Sequence, residues 1–277
     1  RLASFYDFES MEFTPEIAAA LDIYAEESCT PNEQGFIITV ESESSRIKDI
    51  LTNLFTKVLD LHAVLPAWTR NTCKYGDNFV YLKIDPKLGI IGASQLPNIE
   101  IERKDESSFL TQQKVGSYGV AGENEKDKNI KFEWRNKSIS FNAWEVAHFR
   151  LLGDDRRLPY GTSLLEKVRR IWKQLLLSED AMMIYRVTSA NPIETLPGAG
   201  NLDQIADIEY IQKKMLAALR IPKPFLGFEE PAGEGKNLAL QDIRFARTIN
   251  RIQQSMVQEL NKIAIVHLYI LGFEDEL

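Results

Sequence analysis

The sequence reads LDQIADIEYIQKKMLAALRIP over residues 202–222, and the rest of the chain is organised around the helix that this stretch predicts. Acidic residues come early in it and basic residues late, which suits the dipole of an α-helix. Its apolar residues recur at helical spacing, at Ile205, Ile208, Ile211, Met215 and Leu219. A second amphipathic helix is predicted over 238–271, with Gly272 as its stop. At roughly 1.5 Å per residue it would span about 50 Å, which is longer than a compact domain usually needs.

The segment between these two helices reads GFEEPAGEGKN, residues 227–237. It contains three glycines, one proline and several charges but few apolar side chains, so it is expected to be a mobile, exposed connector. Its GEGK sequence invites comparison with a phosphate-binding loop. The GxxxxGK[ST] spacing is absent, however, and Asn237 stands where a magnesium-binding hydroxyl is required. A nucleotide-binding loop is therefore excluded.

The composition is that of a folded protein with a sizeable core. The chain has 277 residues, of which 44% are hydrophobic, and this predicts about two domains or one elaborated domain. Its formal net charge is −7 and no run of Lys and Arg forms a broad nucleic-acid binding patch. An acidic protein can still surround DNA if its task is to let DNA pass.

Neither cysteines nor histidines predict a metal site, and no cofactor is expected. Cys29 and Cys73 belong to no CxxC motif, and the three histidines have no metal-ligand spacing. A reduced intracellular setting is the simpler interpretation. No signal peptide and no apolar run of membrane-spanning length is present, so a soluble protein assembled in the cytoplasm is expected. Because the first residue is Arg1 and the sequence stops soon after the last helix, both ends are expected to be trimmed.

The first half of the chain predicts a mixture of helices and strands, and so an α+β class. Thr14 and Pro15 form a helix start, as N-cap and first helical residue. Further helices are predicted from Ser44 or Ser45 to about Leu61, with His62 as a C-terminal capping side chain, and over 65–75. Strands are predicted at 35–40, 79–84, 94–102, 131–134 and 146–151. The polar segment 104–129 is predicted to be an exposed loop or hairpin tip.

A third long helix is predicted over 163–187. Its apolar side is wider than contact with a single core requires, so it is expected to pack against more than one neighbour. Glu179 and Asp180 are interpreted as an exposed edge of this helix.

Four blocks of the sequence resemble portal proteins of contractile-tailed, T-even-like bacteriophages, in the order that the family has them. They are HFRLLGDDRRLPYGTSLLEKVRRIWKQLLLSEDAMMIYRVT (148–188), YGDNFVYLKI (75–84), IETLPGAGNLDQIADIEYIQKKMLAALRIPKPFLG (193–227) and LALQDIRFARTINRIQQSMVQEL (238–260). The resemblance implies a ring, usually a dodecamer, at one vertex of the capsid, with double-stranded DNA passing through it during packaging and ejection. It implies no enzymatic activity. The implied partners are further copies of the chain, the major capsid protein, the packaging terminase and neck or tail adaptor proteins. The implied location is the virion, after assembly in the host cytoplasm.

The resemblance also implies a division of the chain. Residues 1–157 correspond to an α/β wing, 158–188 to a wing-to-stem helix, 202–226 to a second stem helix, 227–237 to a channel loop and 238–277 to a long wing helix with the chain end. In the family a small clip domain precedes the ETLPG-type return, whereas Thr188 is here followed by Ser-Ala-Asn-Pro. The junction at 189–201 is thus where a clip domain is missing. The family's crown is missing as well.

Two sets of functional residues follow from this resemblance. The residues assigned to the channel loop are Glu229, Glu230, Gly233, Glu234, Gly235, Lys236 and Asn237. The charged ones among them would present alternating charge around the bore. Contacts between subunits are assigned to the stem residues Arg169, Arg170, Ile171, Trp172, Leu175, Asp207, Lys213 and Lys214. For Ile171, Trp172 and Leu175, a place in the core of one subunit remains an equal alternative.

Two other functions compete with a portal. Asp154 and Asp155 could be drawn as a carboxylate pair for metal-dependent nuclease or ATPase chemistry, although adjacent loop residues usually point apart. A charged turn at a helix entry explains them more simply. A structural adaptor or scaffold of the head–tail junction, without a through-going channel, is the other alternative.

Overall fold

The computed structural model describes residues 1–105, 130–153, 155–189, 205–226 and 235–273. Within these ranges the chain forms seven α-helices and two small antiparallel sheets, which confirms the α+β class. The helices are α1 (Leu2–Met11), α2 (Pro15–Ser28), α3 (Ser45–Asn53), α4 (Leu61–Tyr75), α5 (Arg169–Ser189), α6 (Ile205–Leu219) and α7 (Gly235–Ile270). The strands are β1 (Asp77–Asp85), β2 (Gly89–Leu96), β3 (Ile101–Asp105), β4 (Ile130–Trp134), β5 (Ile139–Asn142) and β6 (Val146–Arg150).

The predicted start of α2 is confirmed, with Thr14 as N-cap and Pro15 at the first helical position. The helix before it, α1, was not predicted, and it buries Phe5, Phe8 and Met11 in the main core. α2 also packs on α4. An ionic contact joins the end of α1 to α4, because Glu12 accepts hydrogen bonds from both Arg70 and Lys74.

The strand predicted over 35–40 is wrong. The segment is irregular: the side-chain oxygen of Asn32 accepts hydrogen bonds from the backbone N–H groups of Gln34 and Phe36, which holds a turn. Ile37 and Ile38 pack on the core from one side only, without a partner strand. The apolar run at 35–40 therefore reflects contact with the core and not membership of a β-sheet.

The helix predicted to run from Ser44 or Ser45 to Leu61 is shorter. α3 gives way to a π-helical turn, Leu54–Val58, in which the N–H of Leu59 reaches back to the carbonyl of Leu54. Asp60 then adopts a left-handed conformation and α4 begins. His62 lies in the first turn of α4 with its ring near Phe36, so its predicted role as a C-terminal cap is wrong.

The two sheets stack through a small second core. β1 lies between β2 and β6 in one sheet, and β4 lies between β3 and β5 in the other. Alternate residues of β1 face opposite sides: Val80 and Leu82 enter the main core, whereas Phe79 joins Ile101 and Phe132 between the sheets.

The strand predicted at 94–102 is in fact the end of β2 and the start of β3. Pro97 lies between them, where a residue without an N–H cannot continue a ladder. The strands predicted at 79–84, 131–134 and 146–151 are present as β1, β4 and β6. β5 was not predicted, and most of the loop predicted at 104–129 lies outside the described residues.

α5 begins at Arg169, six residues later than the predicted Ser163. The hydroxyl of Ser163 donates to the carbonyl of Lys74 and accepts from the N–H of Leu165, which ties the preceding turn to the end of α4. Gly161 lies so close to the carbonyl of Gly76 that a Cβ would collide with it. Because this turn packs on α4, α5 begins only at Arg169.

α7 is the longest element, with 36 residues and a length of about 54 Å. It starts at Gly235, three residues earlier than predicted. One face of it enters the main core and packs on α2, α4, β2 and β6. No helix within the described ranges combines the length and apolarity that crossing a membrane requires.

Candidate subunit and DNA interfaces

The buried side of α5 belongs to the core of the subunit. Trp172 is 7% exposed and Leu175 is 3% exposed, while Ile171 packs against the same core. The indole N–H of Trp172 donates to the hydroxyl of Thr14 at 2.8 Å, which joins α5 to the start of α2. These three residues were predicted as interface anchors, and that role stays a prediction. A contact with a neighbouring subunit could use only the part of their surface that is not buried in the core.

α5 also carries apolar side chains that nothing in the described subunit covers. Leu177 is 70% exposed, Met183 is 67% exposed and Val187 is also exposed. α6 packs on α5 and adds Tyr210, which is 65% exposed. We call these four residues the stem face. Its apolar area is of the kind that marks an interaction surface.

The charged residues predicted at the stem differ in what they contact. Arg169 is held within the subunit, where its guanidinium bonds the hydroxyl of Ser4 and forms ion pairs with Asp7 and Glu166. Lys213 pairs with Glu209 one helical turn away, at 3.2 Å. Arg170, Asp207 and Lys214 are exposed. Arg170 is therefore the cleaner probe of a charged contact between subunits, since its reversal breaks no described intramolecular ion pair.

The predicted channel loop falls mostly outside the described residues, and this includes Glu229, Glu230, Gly233 and Glu234. Gly235, Lys236 and Asn237 form the first turn of α7 instead of ending the loop. Of the predicted loop, only 227–234 lies outside the described elements, after a short 3₁₀ turn, Lys223–Leu226, and before α7.

A basic cleft of about 710 Å³ lies between the end of α6 and α7. The cations that line it are Lys213, Arg220, Arg244, Arg247 and Arg251. Its floor includes the buried Thr248. Among the described residues, no carboxylate forms an ion pair with any of the four arginines.

This cleft was not predicted from the sequence. A signal was present, since Arg244, Arg247 and Arg251 follow one another at helical spacing along one side of α7. The contribution of Arg220 had no such signal, because it depends on how α6 ends against α7.

A buried polar network links β1, β6 and the segment before α5. The Asp77 carboxylate accepts hydrogen bonds from the N–H of Gly161 at 2.8 Å and from His148 Nε2 at 2.9 Å. The guanidinium of Arg1 lies 3.9 Å from Asp77 and stacks over Tyr160. Burial lowers the pKa of His148 to about 4, although Asp77 opposes this shift, so the ring is neutral at pH 7.

An Asp–His pair is also a common catalytic arrangement, but here it is enclosed. The imidazole stacks on Phe79 and meets Phe132 and Tyr160 edge-on. His148 and Asp77 are both buried, so a substrate has no route to them. The network holds the fold together at this point and was not predicted, because its members lie far apart in the sequence.

Only one of the two aspartates of the alternative enzymatic hypothesis lies within the described residues. Asp154 lies outside the described residues, and Asp155 starts a short 3₁₀ turn, Asp155–Arg157. Arg157 forms an ion pair with Glu166 at 2.8 Å, as expected for a charged turn before a helix. In the part of the chain that the structure describes, no three His, Cys, Asp or Glu side chains form a metal-binding group.

A model of the bacteriophage T4-like portal protein (Gp20) family matches residues 1–193 and 189–271. The chain belongs to this portal family. The resemblance found in the sequence is thereby confirmed. A search of curated proteins found no match.

Portal proteins of this family are structural components of the phage capsid and are not enzymes. The family implies a ring-forming component of the capsid. The two matched stretches meet at residues 189–193, within the junction where the clip domain was predicted to be missing.

Proposed function

We propose that this portal protein forms a ring with a central channel at one capsid vertex, through which double-stranded DNA is packaged and later ejected. The observation that carries the proposal is the family match, which extends over nearly the whole chain. The ring also serves as a docking platform for the packaging motor and for the neck and tail. We expect twelve copies per ring, as the resemblance implies.

The stem face supports ring formation. An exposed apolar strip on a long helix is costly in water, and contact with a neighbouring copy removes it. In a ring each subunit uses two different surfaces, one toward each neighbour. We assign these contacts to α5 and α6, because α5 buries some of its apolar residues in its own subunit and leaves others exposed.

The channel loop, 227–234, is proposed to line the narrowest part of the bore. It contains Glu229, Glu230 and Glu234, and Lys236 follows at the start of α7. Repeated around a ring, these carboxylates repel phosphates. Strong ion pairs at many sites would stall the polymer, so a repelling wall with few cations lets DNA move.

We place the clip domain of the natural protein at the junction 189–201. The division of the family match at 189–193 supports this position. Contacts with the packaging motor and the tail adaptors are assigned to the clip region, and contacts with the major capsid protein to the wing, 1–157.

A cysteine-directed cleavage experiment tests the position of the channel loop. Cys29 and Cys73 are both buried, and burial raises the pKa of both thiols, so they react poorly with alkylating reagents. In full-length portal protein assembled into capsids, Gly233→Cys carries an iron chelate that cuts nearby DNA. Lys87→Cys, at an exposed position of the wing, is the matched control.

We expect stalled packaging substrates to be cut from position 233 and not from position 87. Equal cutting from both positions, or cutting from neither, would contradict a loop that lines the bore. A junction adaptor without a channel predicts cutting from neither position and a closed centre in electron micrographs.

A further inference from the structure

The basic cleft contains more positive charge than carboxylates within the described ranges neutralise. Of its five cations, only Lys213 has a carboxylate partner among the described residues, namely Glu209. Arg244, Arg247 and Arg251 lie exposed on one side of α7, and Arg220 meets them from the end of α6. Four arginines side by side, without an ion pair to any described residue, are unusual in a chain whose net charge is −7.

The opposite charge is concentrated at the other end of the chain. Residues 2–45 contain ten acidic residues and no Lys or Arg. Asp7, Glu12 and Asp22 form ion pairs with cations of α4 and α5. Five others are exposed and form no ion pair within the described ranges, and we call them the acidic edge: Glu26, Glu27, Glu33, Glu41 and Glu43.

We infer that the acidic edge of one subunit docks against the basic cleft of its neighbour in the ring. Within one subunit the two surfaces form no ion pair with each other, although their charges are complementary. A cyclic ring joins two different surfaces of the same chain, so one edge and one cleft per copy complete every contact. The inference rests on the proposed ring.

DNA is the other polyanion that could occupy the cleft, and the proposed function argues against it. Each phosphate contact by a cation adds to the salt-dependent affinity, and the cleft would supply several contacts in every subunit around the ring. Such a ring would hold the polymer that it must release. Carboxylates of a neighbouring subunit neutralise the same arginines without impeding DNA.

This charged contact would mainly determine which surfaces of two subunits meet, and it would contribute less to the affinity between them. Arginine and carboxylate groups pair in a defined geometry, often through two parallel hydrogen bonds. Exposed ion pairs are individually weak and are screened by salt. The stem face would supply most of the affinity, while the charges fix the order of the surfaces and accelerate association.

Charge reversal on either side, with the full-length protein, tests the inference. One variant carries Arg247→Glu and Arg251→Glu in the cleft, and a second carries Glu41→Arg and Glu43→Arg in the edge. A control carries Lys57→Glu and Lys87→Glu, two exposed cations outside the cleft, and has the same net charge as the cleft variant. Circular dichroism establishes that all variants fold, and native mass spectrometry measures assembly.

At low ionic strength we expect the cleft variant and the edge variant each to need at least tenfold more protein for half-maximal ring assembly. The control assembles like the natural protein. A mixture of the two reversed variants recovers rings, because each supplies the surface that the other lacks. Raising the salt concentration reduces the differences between the variants.

Normal assembly of the cleft variant, with weaker retention of DNA, would overturn the inference and assign the cleft to DNA. Failure of the mixture to form rings, when both variants fold, would overturn it as well. If the natural protein itself forms no ring, the proposed function fails; if it does and the variants match it, only this inference fails.

Discussion

At the scale of single residues, the carboxylate of Asp77 connects three segments that lie far from it in the sequence. This carboxylate holds the N–H of Gly161 and His148 Nε2, with the guanidinium of Arg1 nearby. Removal of one partner from a buried polar network leaves the others without hydrogen bonds. Substitution of a single member of the network is therefore expected to lower the stability of the fold strongly.

Asp77→Ala should lower the free energy of unfolding by about 3 kcal/mol, because the buried donors lose their acceptor. Urea denaturation at a fixed protein concentration measures this. The matched control is Asp49→Ala, an exposed aspartate on α3 that should change stability by less than about 0.5 kcal/mol. Equal effects of the two substitutions would show that the network contributes no stability.

The low pKa of His148 predicts a pH dependence of stability. Its folded-state pKa is about 4, below the ordinary value of 6.5, because burial disfavours the charged ring. Stability from this group is fully present above about pH 6.5 and is lost as the pH falls toward 4, by up to ~3 kcal/mol in total. The difference in unfolding free energy between the natural protein and His148→Gln should shrink across that range. His62→Gln, at a half-exposed histidine, is the control; a difference independent of pH would contradict the prediction.

Residue-level chemistry was only partly predictable from the sequence. Trp172 was identifiable as important from its place in an apolar stripe, but periodicity cannot say whether such a residue meets its own core or a neighbour. Its bond to Thr14 and the Asp77–His148 pair join segments distant in sequence, and no spacing rule connects them. The helical spacing of the arginines of α7 is evident in the sequence, but no function was predicted for them.

At the scale of elements, α5 carries both buried and exposed apolar residues, and their substitution should affect different properties. Leu175→Ala should lower the free energy of unfolding by 2–5 kcal/mol (about the usual range for a buried leucine), since Leu175 lies in the core. Leu177→Ser should leave unfolding of the subunit nearly unchanged and weaken ring assembly. Thermal denaturation and native mass spectrometry measure the two properties. Unaltered assembly of Leu177→Ser would remove α5 from the subunit interface.

Long, strongly periodic helices were predicted well, whereas short elements were not. α2 and the bodies of α5, α6 and α7 follow from their patterns, with differences of up to six residues at the ends. The run at 35–40 has the apolar content of a strand, but a strand also needs a partner, which local sequence does not specify. The shortened α3 depends on a π-helical turn that tertiary packing stabilises.

At the scale of the whole molecule, the subunit is built like one part of a larger assembly. It buries a core of its own, yet leaves apolar residues of α5 exposed and, beside α7, a cleft of arginines that pair with no carboxylate in the described ranges. The proposed ring would account for both, because a neighbouring copy would cover these surfaces.

The central claim is that this chain forms a ring around an open channel, and cryo-electron microscopy of the full-length protein, reconstructed without imposed symmetry, tests it most directly. The account predicts an annular particle whose central hole admits double-stranded DNA, with α5 and α6 at the contacts between subunits and residues 227–234 facing the hole. A monomer at high protein concentration, or an assembly with a filled centre, would contradict it.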